Sequence, residues 1–559
     1  MALRQAMAAL LRVPRRISAA PSVRPLCVLA RVPFAPGGSV TIDTAPVRDR
    51  RRFSRTASGK TKASWQQALA EFQRQANVAD TTGAADRVSE QDVRTLVELC
   101  AASDRHREAI DVIRRSEALG VRVALHSRVL VCCAVARKRG GVAALERMRQ
   151  LHDALPDQFG SPSVYDPLLS IFKARGDYQS AHAAIAQMHE FGLTPHLRAL
   201  RALLVTAGLA KQKDAVLATI KFVEDKYPDS KTDVPTLTAM CQALVKIGET
   251  SRVLAIYKSL DNEWLAERAT TVLFNQFLLA SIQNGAKPGR KKGASSSTPW
   301  AAVFDAMVAS KHGQPDDFTF ATCLLEWEKR MEWGQALDLF NSMQESEARS
   351  GSALTNALAC SVAIRAIHKV DEADGEAPTD SSNRPTLSRA RKEDLKVVLK
   401  KIETLKLTNL GHASTVVDTL DEFRLFTPAR QVFERMVREG LIREHPWRQK
   451  EGYEIDLHTF SRGVAKCAVV FAFEEIAKQH RGLITSGQIP DDLRIITGVG
   501  RRSSEFMTPV LKNAVKELLT RSSRPPLWAG THPKNPGVLL IRHNAMRKWL
   551  EKGGHIRYF

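Results

Sequence analysis

Apolar residues in the middle of the chain recur at helical spacing, and a longer period lies over that spacing. The pattern Ala-x10-Gly occurs at Ala109/Gly120, Ala181/Gly192 and Ala429/Gly440. A small Ala lets two helices approach, and a Gly placed eleven residues later suits the left-handed residue that ends a helix. Met188 and Met436 stand seven residues after their Ala, as Met343 does after Ala336, so these positions share one helix face. Upstream anchors at Val93, Arg128, Tyr165, Leu200, Leu237, Phe274 and Phe320 are separated by 35, 37, 35, 37, 37 and 46 residues. Arg128 is the weak member, because a guanidinium does not fill an apolar site. A period of this size predicts paired antiparallel helices, which bury their apolar faces only by stacking on neighbours. Two stretches rich in Gly, Pro and Ser, 285–299 and 371–386, predict linker insertions.

Beyond 452 the periodicity changes. The runs 454–458, 493–497 and 537–541 are strand-like, and helical stretches at 461–485, 508–520 and 544–551 lie between and after them. The fold class expected is mainly α: an α-solenoid of helix-turn-helix repeats over 88–445, followed by a small α/β domain over 452–551.

Composition narrows the classes of function. With 559 residues, 44% hydrophobic and 25% charged, the chain has the make-up of folded protein and exceeds one compact core. The longest uncharged apolar run, 129–136, falls far short of the roughly 20 residues a membrane helix needs, so no membrane span is expected. Eight cysteines without a CxxC pair read as buried thiols. The net charge of +22 is uneven: residues 1–60 carry 12 Lys or Arg against Asp43 and Asp49, residues 452–559 carry 17 against nine acids, and the long middle is only +4. The first 42 residues hold six arginines, no lysine and no acid among Ala, Leu and Val, which is the composition of an organellar presequence. Leu3, Met7, Leu10 and Leu11 fall near one side of a helix there, with arginines flanking. Arg51-Arg52-Phe53-Ser54 looks like a mitochondrial processing site and favours the mitochondrion over the plastid. Residues 1–60 are therefore read as transit peptide and flexible segment. A basic C-terminal domain fits a polyanion.

Ser163-Val164-Tyr165-Asp166-Pro167-Leu168-Leu169, then Ala181 to Met188, then Gly192-Leu193-Thr194-Pro195, resembles a pentatricopeptide repeat. Phe318-Thr319-Phe320 through Ala336 to Met343 resembles another. The resemblance implies a superhelix whose first helices line a surface for single-stranded RNA, each repeat reading a base through the residue after the anchor and the last residue of the repeat. Asn275 with Asp316 resembles the family's pyrimidine-preferring combination, amide and carboxylate edges reaching a base's Watson–Crick edge. The 285–299 insertion falls inside that repeat. Asp166 with His196, and Thr238 with Thr270, depart from the common combinations, so no base sequence is read off. All of these also suit ordinary polar positions at helix starts.

Ile455-Asp456-Leu457-His458 and Thr497-Gly498-Val499-Gly500, with Pro509-Val510-Leu511 and Asn535-Pro536-Gly537, resemble in order the landmarks of a small MutS-related (SMR) domain. That implies RNA or branched-DNA binding and, in some members, metal-assisted endonuclease activity. Asp456 and His458 are two apart on a strand and face one side. Asp456 could serve as base or hold a divalent cation such as magnesium, and His458 could protonate a leaving oxygen. Thr497, Gly498 and Gly500 would bring the chain close to a phosphate, with Arg501 and Arg502 as charge partners. The chain departs from the family pattern at Thr459-Phe460, where Gly is usual, and at Arg502-Ser503, where His-Ser often stands. Three functions stay open: an organellar RNA-binding protein in transcript processing, stability or translation; a metal-dependent RNA endonuclease; and a protein-binding helical scaffold. Basic and amide side chains lining the first helices favour RNA, and apolar pockets favour peptide.

Overall fold

The computed structural model describes residues 57–82, 88–285, 299–374, 387–442, 447–449, 453–481, 492–498 and 509–557. Residues 1–56 of the N-terminal segment, 286–298 and 375–386 of the two insertions, and Gly500, Arg501 and Arg502 lie outside them. The chain divides into two compact units, Met1–Gln314 and Pro315–Phe559.

The first unit opens with α1 (Ala57–Thr82) and continues in antiparallel pairs: α2 (Glu90–Ala102) with α3 (His106–Ala118), α4 (Leu125–Arg139) with α5 (Gly141–Ala154), α6 (Asp166–Arg175) with α7 (Tyr178–Glu190), and α8 (Leu197–Leu209) with α9 (Lys213–Lys226). Then come α10 (Val234–Lys246), α11 (Thr250–Ser259), α12 (Asn262–Arg268), α13 (Thr271–Gly285) and α14 (Pro299–Ala309). The first helices α2, α4, α6, α8, α10 and α13 pack side by side in that order and form one layer, with the second helices behind it. Local chemistry sets the ends: Ser89, Asp177 and Asp233 cap α2, α7 and α10 by accepting from backbone N–H groups. Gly120 and Gly192 turn the chain at φ 78° and 73°, where a side chain would be strained.

The anchors Val93, Tyr165, Leu200, Leu237 and Phe274 are buried, as are Ala109, Ala181 and Met188. Arg128 keeps its pair intact by a different route. Its guanidinium donates to Val123 O at 3.1 Å and meets Glu117, while Val129 beside it goes into the core. Tyr165 Oη donates to Gln187 Oε1 at 3.0 Å, and Gln187 Nε2 donates to Leu145 O at 3.0 Å, so a buried polar relay ties α6 to α7 and α7 to α5.

The second unit repeats the scheme in α15 (Asp317–Arg330), α16 (Trp333–Ser350), α17 (Ala357–Asp374), α18 (Arg389–Thr404), α19 (Leu410–Glu422) and α20 (Phe426–Arg438). Phe320, Ala336, Met343, Ala429 and Met436 are buried. An α/β region follows: β1 (Trp447–Gln449), β2 (Tyr453–Asp456), α21 (Arg462–Arg481), β3 (Leu493–Ile496), α22 (Val510–Glu517), β4 (Ser523–Arg524), β5 (Gly530–His532), β6 (Asn535–Ile541), α23 (His543–Glu551) and β7 (His555–Ile556). Five strands form a mixed sheet in the order β1-β2-β3-β6-β5, with β2 and β3 parallel and the other pairs antiparallel. The three strand-like runs of the sequence are β2, β3 and β6. The outer strands β1 and β5 are three residues each and carry no alternation long enough to see. α21 packs on α19 and α20 like the first helix of another repeat. Gly463 N donates to Asp418 Oδ1 at 2.7 Å, Lys466 meets the buried Asp421 at 2.8 Å, and Arg430 clasps Glu474 with two guanidinium nitrogens. A Cβ at Gly463 would lie 3.0 Å from Asp418 Cα, so the close approach needs glycine. Among the described residues no helix is long and apolar enough to cross a membrane.

Candidate nucleic-acid interface

In the first unit, the acids Glu90, Asp92, Glu98 and Asp166 and apolar residues such as Leu125 and Leu197 are left unburied on the first-helix layer beside cationic, amide and hydroxyl side chains. The latter include His126 and Arg137 on α4, Ser170 and Lys173 on α6, Arg198 and Arg201 on α8, Gln242 and Lys246 on α10, and Gln276 and Gln283 on α13. Lys173 lies close to Arg198 and Arg201 of the next first helix. Loss of hydration, together with the guanidiniums of Arg201 and Arg198, lowers its ammonium pKa, so three cations from two adjacent first helices share one patch. Arg201 Nη1 also lies 3.1 Å from Asp233 Oδ2, so protein carboxylates already neutralise part of the patch. Between α2 and α4 a groove of about 480 Å³ is lined by Arg94, Glu98, His126 and Arg137 together with the apolar Ala101, Ala102, Leu130 and Cys133.

Asp166 and His196, paired in the sequence reading, come together: His196 Nε2 lies 3.1 Å from Asp166 Oδ1, and Arg198 Nη1 lies 3.5 Å from the other carboxylate oxygen. The carboxylate opening α6 is thus shared between the residue before α8 and an arginine in its first turn, and Arg198 itself is 64% exposed. Thr238 donates its hydroxyl to Val234 O at 2.7 Å. Asn275 is 5% exposed and faces the packed side of α13, with Gln276 half-exposed beside it. Asp316 lies in the second unit, where it caps α15 in a reciprocal box with Thr319. The Lys173, Arg198 and Arg201 cluster escaped the sequence reading, since only the stacking of α6 on α8 gathers it. The single local sign is the pair Arg198 and Arg201 at i, i+3.

In the second unit the sheet brings the remaining candidates to one end. Asp456 closes β2 opposite Ile496 of the parallel β3, so the chain leaves both strands on the same side. His458 donates its backbone N–H to Asp456 Oδ1 at 3.1 Å, and His458 Nδ1 sits 2.5 Å from that oxygen. Both side chains are about half exposed. With Nδ1 held by the carboxylate, Nε2 is left for a substrate, which is how an acid orients an imidazole for proton transfer. After β3, Thr497 N, Thr497 Oγ1 and Gly498 N all donate to Gly537 O, at 2.9, 3.1 and 3.0 Å. Gly498 turns at φ 72°, directly against His458. The turn therefore fastens β3 to β6 beside the Asp–His pair. Among the described residues no three His, Cys, Asp or Glu gather as metal ligands. One carboxylate and one imidazole fall short of a dedicated metal site.

Among solved structures, the crystal structure of the pentatricopeptide repeat protein PPR10 from maize is 15% identical over 84% of this chain and 62% of that one, with a TM-score of 0.37. The crystal structure of PPR10 in complex with an 18-nt psaJ RNA element is 14% identical over 76% of this chain and 64% of that one, with a TM-score of 0.35. This chain thus spans under two thirds of the length of each. No curated protein matches it. The family model described as pentatricopeptide repeat-containing protein matches residues 160–260, the stretch that holds Asp166, Lys173, His196, Arg198, Arg201 and Thr238.

Proposed function

We propose that this chain is an RNA-binding helical repeat protein of an organelle, acting in transcript processing, stability or translation. Its first-helix layer takes single-stranded RNA, and its SMR-like α/β region adds affinity for the same strand. The observation that carries the reading is the cationic patch of Lys173, Arg198 and Arg201 beside Asp166 and His196, inside the residues that match the pentatricopeptide repeat family. Cations supply phosphate affinity, and polar side chains at helix starts supply base contact. The arginine-rich, acid-free N-terminal segment supports the organelle, and its processing-site pattern supports the mitochondrion.

A second reading rests on the Asp456–His458 contact. There, the imidazole oriented by Asp456 takes a proton from an attacking hydroxyl or gives one to a leaving oxygen, and the strand is cut. A divalent cation, where bound, would supply charge stabilisation at the phosphate, with Asp456 as the carboxylate available to it. Crosslinking of the tagged chain to RNA in isolated organelles separates the readings. Discrete footprints are expected for the wild type. Footprints that lengthen at one end in Asp456→Asn support cutting, and identical footprints leave a binding protein. Absence of any footprint contradicts RNA binding.

A further inference from the structure

The Asp456–His458 pair occupies only one side of the sheet end it stands on. Three strand positions away, across β3 and β6, the turn from β5 into β6 reaches the same end, because β5 and β6 are antiparallel and His532 pairs with Asn535. At the ordinary spacing of neighbouring strands this places His532 about 14 Å from β2. His532 Nδ1 accepts from Lys534 N at 3.2 Å, so its neutral form carries the proton on Nε2, a donor aimed away from the turn. Lys512, at the start of α22, donates to Pro536 O at 3.0 Å, and this contact holds its ammonium over the first residues of β6 with two further N–H donors in hand.

Only some cations of the α/β region are paired, since Arg494, Lys516, Lys548 and Lys552 have no acidic partner among the described residues, and it is their place at the sheet end that sets Lys512, His532 and Lys534 apart. Lys466, Lys478, Arg521, Arg542 and Arg547 are each matched by a carboxylate. Lys512, His532 and Lys534 have no acidic partner among the described residues. Lys534 is exposed and His532 half-buried.

We infer that the sheet end forms a cationic track, running from His458 past Lys512 to His532 and Lys534, that holds successive phosphates of one RNA strand while the Asp456–His458 pair faces one of them. This rests on the RNA-binding reading above and names residues that the sequence motifs leave out. A track of that length spans more than one phosphate, so it fixes the direction of the strand over the pair.

The test is the salt dependence of binding of the full-length protein to a mixed-sequence single-stranded RNA oligonucleotide, across a potassium chloride series. Lys534→Gln touches no structural contact, and Lys512→Gln/Lys534→Gln removes both ammonium groups. Each lost phosphate contact is expected to flatten the slope of log K against log salt by about 0.7. Arg547→Gln, which removes a cation already paired with Glu551 away from the track, is expected to keep the wild-type slope. A wild type with a normal slope and Lys variants indistinguishable from it overturns the track alone. A wild type whose binding ignores salt overturns the RNA reading beneath it.

Discussion

Tyr165 shows how single residues hold the repeat interface. Burial drives its hydroxyl pKa upward, so it stays protonated and remains a donor to Gln187. Tyr165→Phe leaves Gln187 Oε1 buried without its donor, and a loss of about 1–3 kcal/mol is expected in the stability of the first unit. Hydrogen exchange in α7 would register it, and unchanged protection there would refute the relay's importance. In the second unit, His368 stacks on Phe423 at 4.1 Å, and burial holds its pKa below the ordinary histidine value; His412 is lowered the same way. The folded form binds these protons less readily than the unfolded chain. Stability is therefore full above the unfolded histidine pKa of about 6.5 and falls as pH drops below it. Thermal melts between pH 7.5 and 5 should show the fall, and His368→Gln should flatten it. A melting temperature constant over that range in the wild type would contradict the assignment.

At the scale of elements, three arginines each fasten one helical pair to the one before. Arg137 of α4 donates to Ala101 O at 2.7 Å and to Asp104 at 2.6 Å, and Arg175 of α6 donates to Ala136 O and Arg137 O, both at 2.8 Å. Arg435 of α20 does the same to Ile402 O and Glu403 O of α18. These carbonyls lie in the last turn of a helix, where Ala101 O, Ala136 O and Ile402 O also accept a capping backbone N–H, and a guanidinium adds a second donor and complements the dipole. Arg175→Met should weaken protection of the last turn of α4 by about 1 kcal/mol while leaving α5 unchanged; equal protection in both variants would rule the ladder out. This scale also shows what could be read from sequence. The Ala, Gly and Met positions were visible because each depends on one helix and its end. Which of Asn275 and Gln276 is packed was not legible, because helix rotation decides it and only the stacked structure fixes that rotation. β1 and β5 were invisible because three residues carry no period.

For the whole molecule, the pattern of stacked pairs followed by strands was legible because burial enforces it at every repeat. The surface proposed for RNA was only half legible. The acidic and imidazole groups of the sheet end stand in one motif, whereas Lys173, Arg198 and Arg201 belong to two helices, and Lys512, His532 and Lys534 to a helix and a turn. The near-neutral sum over the middle of the chain hid the first grouping, whereas the 17 Lys or Arg against nine acids of residues 452–559 pointed to the region of the second without naming its residues. The measurement that bears most directly on RNA binding is the affinity of the full-length chain for single-stranded RNA against salt, with Lys173→Glu/Arg198→Glu/Arg201→Glu beside the wild type. A linear fall of log K with log salt at about 0.7 per phosphate contacted is expected for the wild type, together with a shallower slope and at least a tenfold weaker complex for the variant, roughly 1.4 kcal/mol. Binding insensitive to salt, or a charge-reversed variant that binds as tightly as the wild type, would contradict it.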